Sequence, residues 1–273
     1  MFLNKCLLFL SFLVCFDSHA QQSVGARNIA IGTASVSLGD EWSYFSNPAA
    51  TIEVKKHKVA TSYTNQYLIQ ELQQQGAVIC LPLKKGVFSF GAQIAGQTLA
   101  KTSKVGIGYA LKLTEGLALG INLNFHQFRI QNYGAKSSIV ADAGIYYRIN
   151  QKVTWGCGLL GVSNHKRNTN QEVFPIALRT GINIQPASWL TCLVEVEHNT
   201  ALNFRLKGGL EYNPIQNFKL RLGSIINEQT IAFGFGYVFK KQVYFDLGTI
   251  WQQVLGWSPN IGLAYQFNKP SNE

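Results

Sequence analysis

From residue 56 onward, large apolar residues recur at every second position in short runs, and turn residues interrupt each run before it becomes long. Fourteen such segments can be delimited: 56–66, 76–83, 86–98, 104–114, 116–130, 137–149, 152–163, 173–185, 188–199, 202–213, 216–226, 229–239, 242–251 and 257–267. Period-2 alternation sends successive side chains to opposite faces of a strand. In the twelfth segment Ile231, Phe233, Phe235, Tyr237 and Phe239 share one face, and Ala232, Gly234, Gly236 and Val238 share the other. In the last, Ile261, Leu263, Tyr265 and Phe267 oppose Asn260, Gly262, Ala264 and Gln266. A soluble sandwich would set Lys and Glu opposite its apolar face. Here the second face is Gly, Ala and Asn, which suits an enclosed space, so the apolar face meets lipid.

A membrane-spanning strand takes about 9–11 residues, and the stretch 56–267 holds fourteen crossings with little left over. Only 14% of the residues are charged, against roughly 25% in an ordinary soluble domain. The 47% hydrophobic content excludes a disordered chain. Beyond the N-terminus no run of 18 apolar residues could form a spanning helix. The expected fold is therefore all-β: a transmembrane antiparallel β-barrel of about fourteen strands. The net charge of +10 does not imply nucleic acid, because no basic residues cluster with stacking aromatics on one soluble face. Connection lengths agree with a barrel. Lys84-Lys85, Thr114-Glu115, Asn150-Gln151, Pro186-Ala187, Pro214-Ile215 and Lys240-Lys241 are tight, as on a periplasmic side, and the intervening connections 67–75, 97–103, 131–136 and 164–172 are longer. In the second half the outer connections shrink to 199–201 and 227–228.

Lys5, an apolar run at 7–16 and Ser18-His19-Ala20 read as a secretory signal peptide cleaved after Ala20. Cys15 as a lipidation site is disfavoured, since Phe12-Leu13-Val14 lacks a small residue before it. The organisation is then signal 1–20, an N-terminal segment 21–55 folded as a lumen plug, barrel 56–267 and tail 268–273. Cys80, Cys157 and Cys192 lie inside strands, and free thiols are preferred over a disulfide framework or a metal site.

Segments eight to eleven put Arg179, Glu195, Glu197, Arg205, Lys207, Glu211, Lys219 and Arg221 on the face opposite Leu206, Leu210, Phe218, Leu220 and Leu222, and Asp142, Arg148 and Asp246 take the same inward phase. Facing lipid at the bilayer midplane, such a charge would cost about 2–4 kcal/mol. The preferred reading is that they pair across strands and brace the lumen; the other is a polar path or a docking surface for the plug. His126 with Ser137 and Ser138 invites a hydrolase reading, but no positioned acid accompanies them. Glu195 and Glu197 at i, i+2 have Arg and Lys neighbours, which favours bracing over acid–base work. Gly106-Ile107-Gly108 and Gly156-Cys157-Gly158 lack the following helix that a phosphate loop needs. His165-Lys166-Arg167 is a basic outer loop, solvated or in contact with lipopolysaccharide.

Before the barrel, Gly25, Ala26, Arg27 and Gly32 lead through Asp40 and Glu41 to Asn47, Pro48 and Ala49. This resembles the start of the FadL-like (fatty-acid-transporter) barrel superfamily, in particular its PorV/PorQ-type branch of the Bacteroidota. The resemblance implies a fourteen-stranded outer-membrane barrel with the N-terminal segment in the lumen, no cofactor and no enzyme activity. It also implies that the terminal aromatics Tyr265 and Phe267 serve as the membrane-insertion signal. The chain is short for that superfamily and lacks long outer loops and an extended apolar insertion lining an access groove. The expected function is therefore that of the branch: a non-enzymatic partner or scaffold subunit of an outer-membrane complex for protein export, surface attachment or assembly. Its partners would be outer-membrane lipid, lipopolysaccharide and secretion-machinery proteins. A conduit for hydrophobic small molecules is the alternative.

Overall fold

The computed structural model describes residues 23–163, 175–200 and 204–267. The expected signal peptide 1–20, the expected tail 268–273 and the basic stretch 165–167 lie outside them. Fourteen antiparallel strands close on themselves, each hydrogen-bonded to its sequence neighbours, with the last pairing to the first. In chain order they are β1 (Lys58–Asn65), β2 (Gln73–Pro82), β3 (Gly86–Gly96), β4 (Ala100–Lys112), β5 (Leu117–Ile130), β6 (Gly134–Arg148) and β7 (Val153–Ser163). There follow β8 (Ala177–Ala187), β9 (Leu190–Asn199), β10 (Arg205–Ile215), β11 (Phe218–Ile225), β12 (Thr230–Phe239), β13 (Val243–Gln252) and β14 (Gly256–Gln266). Closure is sealed where Lys58 to Thr64 pair with Gln266 to Asn260. A closed barrel leaves no unpaired edge, which is what lets strands cross hydrocarbon.

The alternation is realised as it reads. Ile231, Phe233, Phe235, Tyr237 and Phe239 are exposed on the outer wall, while Ala232 is buried. The strands run further than the sequence pattern implies, so β3–β4 and β5–β6 connect through only 97–99 and 131–133, where longer connections at 97–103 and 131–136 were expected. The connections that remain long, 66–72 and 164–176, lie at the outer end by the rule for outer-membrane-type barrels, and β1 starts and β14 finishes at the opposite, periplasmic end. Among the described residues no helix is long and apolar enough to cross a membrane.

Residues 23–55 run inside the barrel. A short helix, α1 (Ala26–Ala30), is followed by two 3₁₀ turns, Glu41–Phe45 and Pro48–Glu53. Nearly all of this segment is buried, Tyr44, Asn47, Ala49 and Ala50 completely. A core therefore exists, but it lies between the segment and the inner wall: Val24, Trp42, Tyr44 and Phe45 pack with Ala60, Val78, Cys80, Val87 and Ala110. Inward Gly, Ala and Asn leave the room for it.

Candidate functional site

The residues singled out before the barrel each do identifiable work in seating the segment. Gly25 has φ 97° and Trp42 packed where a Cβ would stand. Gly32 has φ 64° and lies against the backbone of Gly223 and Ser224 in β11. Ala26 packs on Gly248 and Gly262. Asp40 caps the first 3₁₀ turn: its carboxylate accepts from Ser43 N at 3.1 Å, while Asp40 N donates to Ser43 Oγ at 3.0 Å. Glu41 accepts from Lys58 Nζ at 2.7 Å. Asn47 caps the second turn through Ala49 N at 3.2 Å, and its Nδ2 donates to Val36 O and Ile145 O at 2.8 and 2.9 Å. Pro48 occupies the first position of that turn, where its missing N–H costs nothing. Asn47 to Ala49 rest on Gly120 in β5 and Gly144 in β6; an added Cβ would come within 2.2 Å of Ala49 N and 2.0 Å of Asn47 Oδ1.

The wall charges form three clusters. In the first, Arg179 Nη2 lies 2.6 Å from Glu195, and Lys207 Nζ lies 3.0 Å from Glu195 and 2.5 Å from Glu197. Arg205 joins Glu197 at 3.4 Å and Glu228 at 2.5 Å. In the second, Glu211 accepts from Arg221 Nε at 2.7 Å, Lys219 Nζ at 3.2 Å and Arg27 at 2.9 and 3.0 Å, while Arg221 also reaches Asp246 and Arg27 also reaches Asp40. The third is Asp142, fully buried, accepting from Lys104 at 3.0 Å, Asn124 at 2.8 Å and Gly161 N at 2.9 Å. Cations and anions balance in each cluster, and opposite signs face each other directly in register, as in Glu211–Arg221 and Lys207–Glu195.

The two sets of residues thus meet. Arg27 of the inner segment enters the second cluster, and the first cluster holds the segment's backbone: Glu195 accepts from Val36 N at 2.8 Å, and Arg179 donates to Thr33 O at 2.8 Å. Burial works against the Arg27 charge, but Glu211 and Asp40 outweigh it and raise its pKa above the ordinary guanidinium value. Lys104 is a member that the sequence reading missed, although its parity with Gly106, Gly108 and Ala110 marks it as inward. Arg148 differs from expectation. It keeps the inward phase but stands half-exposed at the periplasmic mouth, 2.6 Å from Glu53, because it is the last residue of β6.

Above the segment, at the outer end, a small vestibule of about 130 Å³ opens. Its apolar lining is Ile29, Phe45, Ile225 and Ile250; the rest is polar, from Ser and Thr side chains, Tyr67, Gln252 and the paired charges of the first cluster. On the lipid side an apolar groove of about 530 Å³ crosses β4 to β7, where the small Ala143 and Cys157 lie among Tyr109, Ile121, Ile145 and Leu159. Gly120 and Gly144 form its floor, so one backbone layer separates it from Asn47–Ala49.

Tyr265 and Phe267 meet edge to face at 4.9 Å on the outer wall near the periplasmic end. The Ser138 hydroxyl donates to Ile139 O, and Ser137 lies on the outward face beside Gln127. Cys80, Cys157 and Cys192 are free thiols. Among the described residues no three metal-ligating side chains come together.

No family model and no curated protein matches the sequence. Solved structures do. The monoaromatic hydrocarbon channel CymD aligns at a TM-score of 0.66 and 12% identity, over 90% of this chain and 98% of the other. The Pseudomonas putida toluene transporter TodX aligns at 0.67 and 11%, over 92% and 100%. A Pseudomonas aeruginosa FadL homologue aligns at 0.65 and 9%, over 90% and 99%. At these identities the likeness is one of fold: this chain has the architecture of FadL-type barrels.

Proposed function

We propose that the protein is a non-enzymatic outer-membrane conduit for small uncharged hydrophobic molecules, of single-ring size. Whole-length likeness to barrels described as hydrocarbon channels carries this reading, and three features of the chain support it. The vestibule, about 130 Å³ with Ile29, Phe45, Ile225 and Ile250 set among polar residues, has room for a molecule of single-ring size. The charge clusters are internally neutral and offer little field to attract an ion. The lipid-side groove gives an apolar molecule a matching surface on the far side of the segment.

These observations favour the conduit over the partner-subunit role that the N-terminal motif suggests; that role, and the PorV/PorQ branch with it, rest on sequence resemblance alone. The argument from short loops loses its force because strand ends, the inner segment and the short turns Gln66–Leu68 and Ile226–Glu228 already line the vestibule. It needs no long loop.

The test is uptake of a labelled monoaromatic hydrocarbon by Gram-negative cells expressing the barrel, with Ile250→Trp filling the vestibule. Uptake above vector control that falls severalfold in the variant is expected. Uptake equal to the control, or unaffected by Ile250→Trp, would refute the proposal. Stoichiometric co-purifying proteins together with absent uptake would restore the subunit reading.

A further inference from the structure

The outward face of β3 to β6 can be followed row by row from the register. Rising from the periplasmic end, the rows are Gly86–Leu111–Leu119–Ile145, Phe88–Tyr109–Ile121–Ala143, Phe90–Ile107–Leu123–Ala141 and Ala92–Val105–Phe125–Ile139. The next row turns polar, Ile94–Ser103–Gln127–Ser137, and above it stands Gly96–Lys101–Arg129–Ala135. Lys101 and Arg129 are directly opposite one another on adjacent strands, and both are exposed. Every other Lys, Arg, Asp or Glu within the described strands takes the inward phase. Among the described residues neither Lys101 nor Arg129 is in an ion pair. The acid that touches the neighbouring β3–β4 turn, Glu71, accepts instead from Thr98 N at 3.2 Å.

Like charges placed opposite in a sheet are destabilising, so two cations set in register at the only charged outward positions of the described strands call for an anion. Their height says which kind. They lie four residues beyond the last apolar row, about 14 Å along an antiparallel strand, or about 10 Å along the membrane normal at a tilt of 35–45°. The headgroup layer is about 5–8 Å thick on each side. Both side chains are long enough to reach back down into it while their stems cover the wall. The guanidinium offers a phosphate two parallel donors, and the ammonium adds a point charge beside it.

We propose that Lys101 and Arg129 form a docking site for a phosphate of the outer-leaflet glycolipid, of the lipid A class, with its acyl chains lying on the Val105, Phe125 and Ile139 row below. The site depends on the outer-membrane placement proposed above but not on the lumen's cargo.

Native mass spectrometry of the full detergent-solubilised barrel, titrated with bisphosphorylated lipid A, tests it. One lipid retained per barrel is expected, with affinity at least tenfold lower in Lys101→Ser/Arg129→Ser and for lipid A stripped of its phosphates. Equal binding by wild type and variant, or of the dephosphorylated lipid, overturns the site. Binding of inorganic phosphate or phosphatidylglycerol as tight as lipid A overturns the glycolipid assignment. Should the double variant lack the heat-modifiable gel mobility of a folded barrel, Arg129→Gln decides: a severalfold loss supports the site and no loss refutes it. Hydrocarbon binding measured on the same preparation separates failure of this site from failure of the conduit.

Discussion

Replacing Glu211 by Gln should loosen the inner segment while leaving the barrel intact. The substitution keeps shape and volume, so its effect is electrostatic. Glu211, 3% exposed, serves three cations: Arg27, Lys219 and Arg221. With Asp40 and Asp246 the native cluster is neutral; without the Glu211 charge, three cations face two carboxylates. Breaking a buried pair from one side costs about 3–5 kcal/mol. The least costly relief is withdrawal of the Arg27 side chain, because it alone of the three cations belongs to the segment and is already 18% exposed. The barrel strands would have to break wall hydrogen bonds to move. The undocked population should therefore rise by roughly a hundredfold to a few thousandfold, at tenfold per roughly 1.4 kcal/mol. Planar-bilayer recordings of single barrels should show closed wild-type channels and frequent open bursts in Glu211→Gln. Adding Arg27→Met restores two cations against two anions and should return the bursts toward the wild-type level. If Glu211→Gln and wild type give indistinguishable traces and equal protease resistance of residues 23–55, the segment is not held by this cluster and the reasoning fails.

Other outcomes follow from the same geometry. Gly120→Val and Gly144→Val place side-chain atoms where Ala49 N and Asn47 Oδ1 now lie within about 2 Å of a Cβ position; limited proteolysis should then cut the segment while the barrel still migrates as folded. Asp142→Leu strands the buried Lys104 ammonium and should lower unfolding stability by about 3–5 kcal/mol in denaturant titration, whereas Asp142→Leu with Lys104→Met should recover most of it. Arg148→Ala removes only the half-exposed pair with Glu53 and should cost about 1 kcal/mol or less in the same assay. Cys157 and Cys192 face outward from half-buried positions, so a membrane-soluble maleimide should label both in the folded protein, while Cys80, buried on the inner face, should react only after unfolding, as read by mass spectrometry.

The strand count, the antiparallel order and the face of each residue were legible in the sequence, because a spanning strand repeats every two residues and lipid tolerates only one kind of face. The inward phase of Glu195, Lys207 and Arg221 followed from the same constraint. Period alone does not say how far along the barrel axis a residue stands, so it could not separate Arg148 at the mouth from Asp142 at full burial. Nor could it set Lys101 level with Arg129, since that depends on the stagger between strands. The N-terminal motif was visible as Gly25, Ala26, Arg27, Asp40 and Asn47, yet only the closed barrel brings Arg27 to Glu211 across 184 positions of chain and lays Asn47 on Gly144. The sequence determined which face of each strand is wet and which meets lipid. Tertiary structure decided what fills the wet side, because a lumen forms only when the fourteenth strand finds the first, and its depth, occupant and vestibule are properties of that closure.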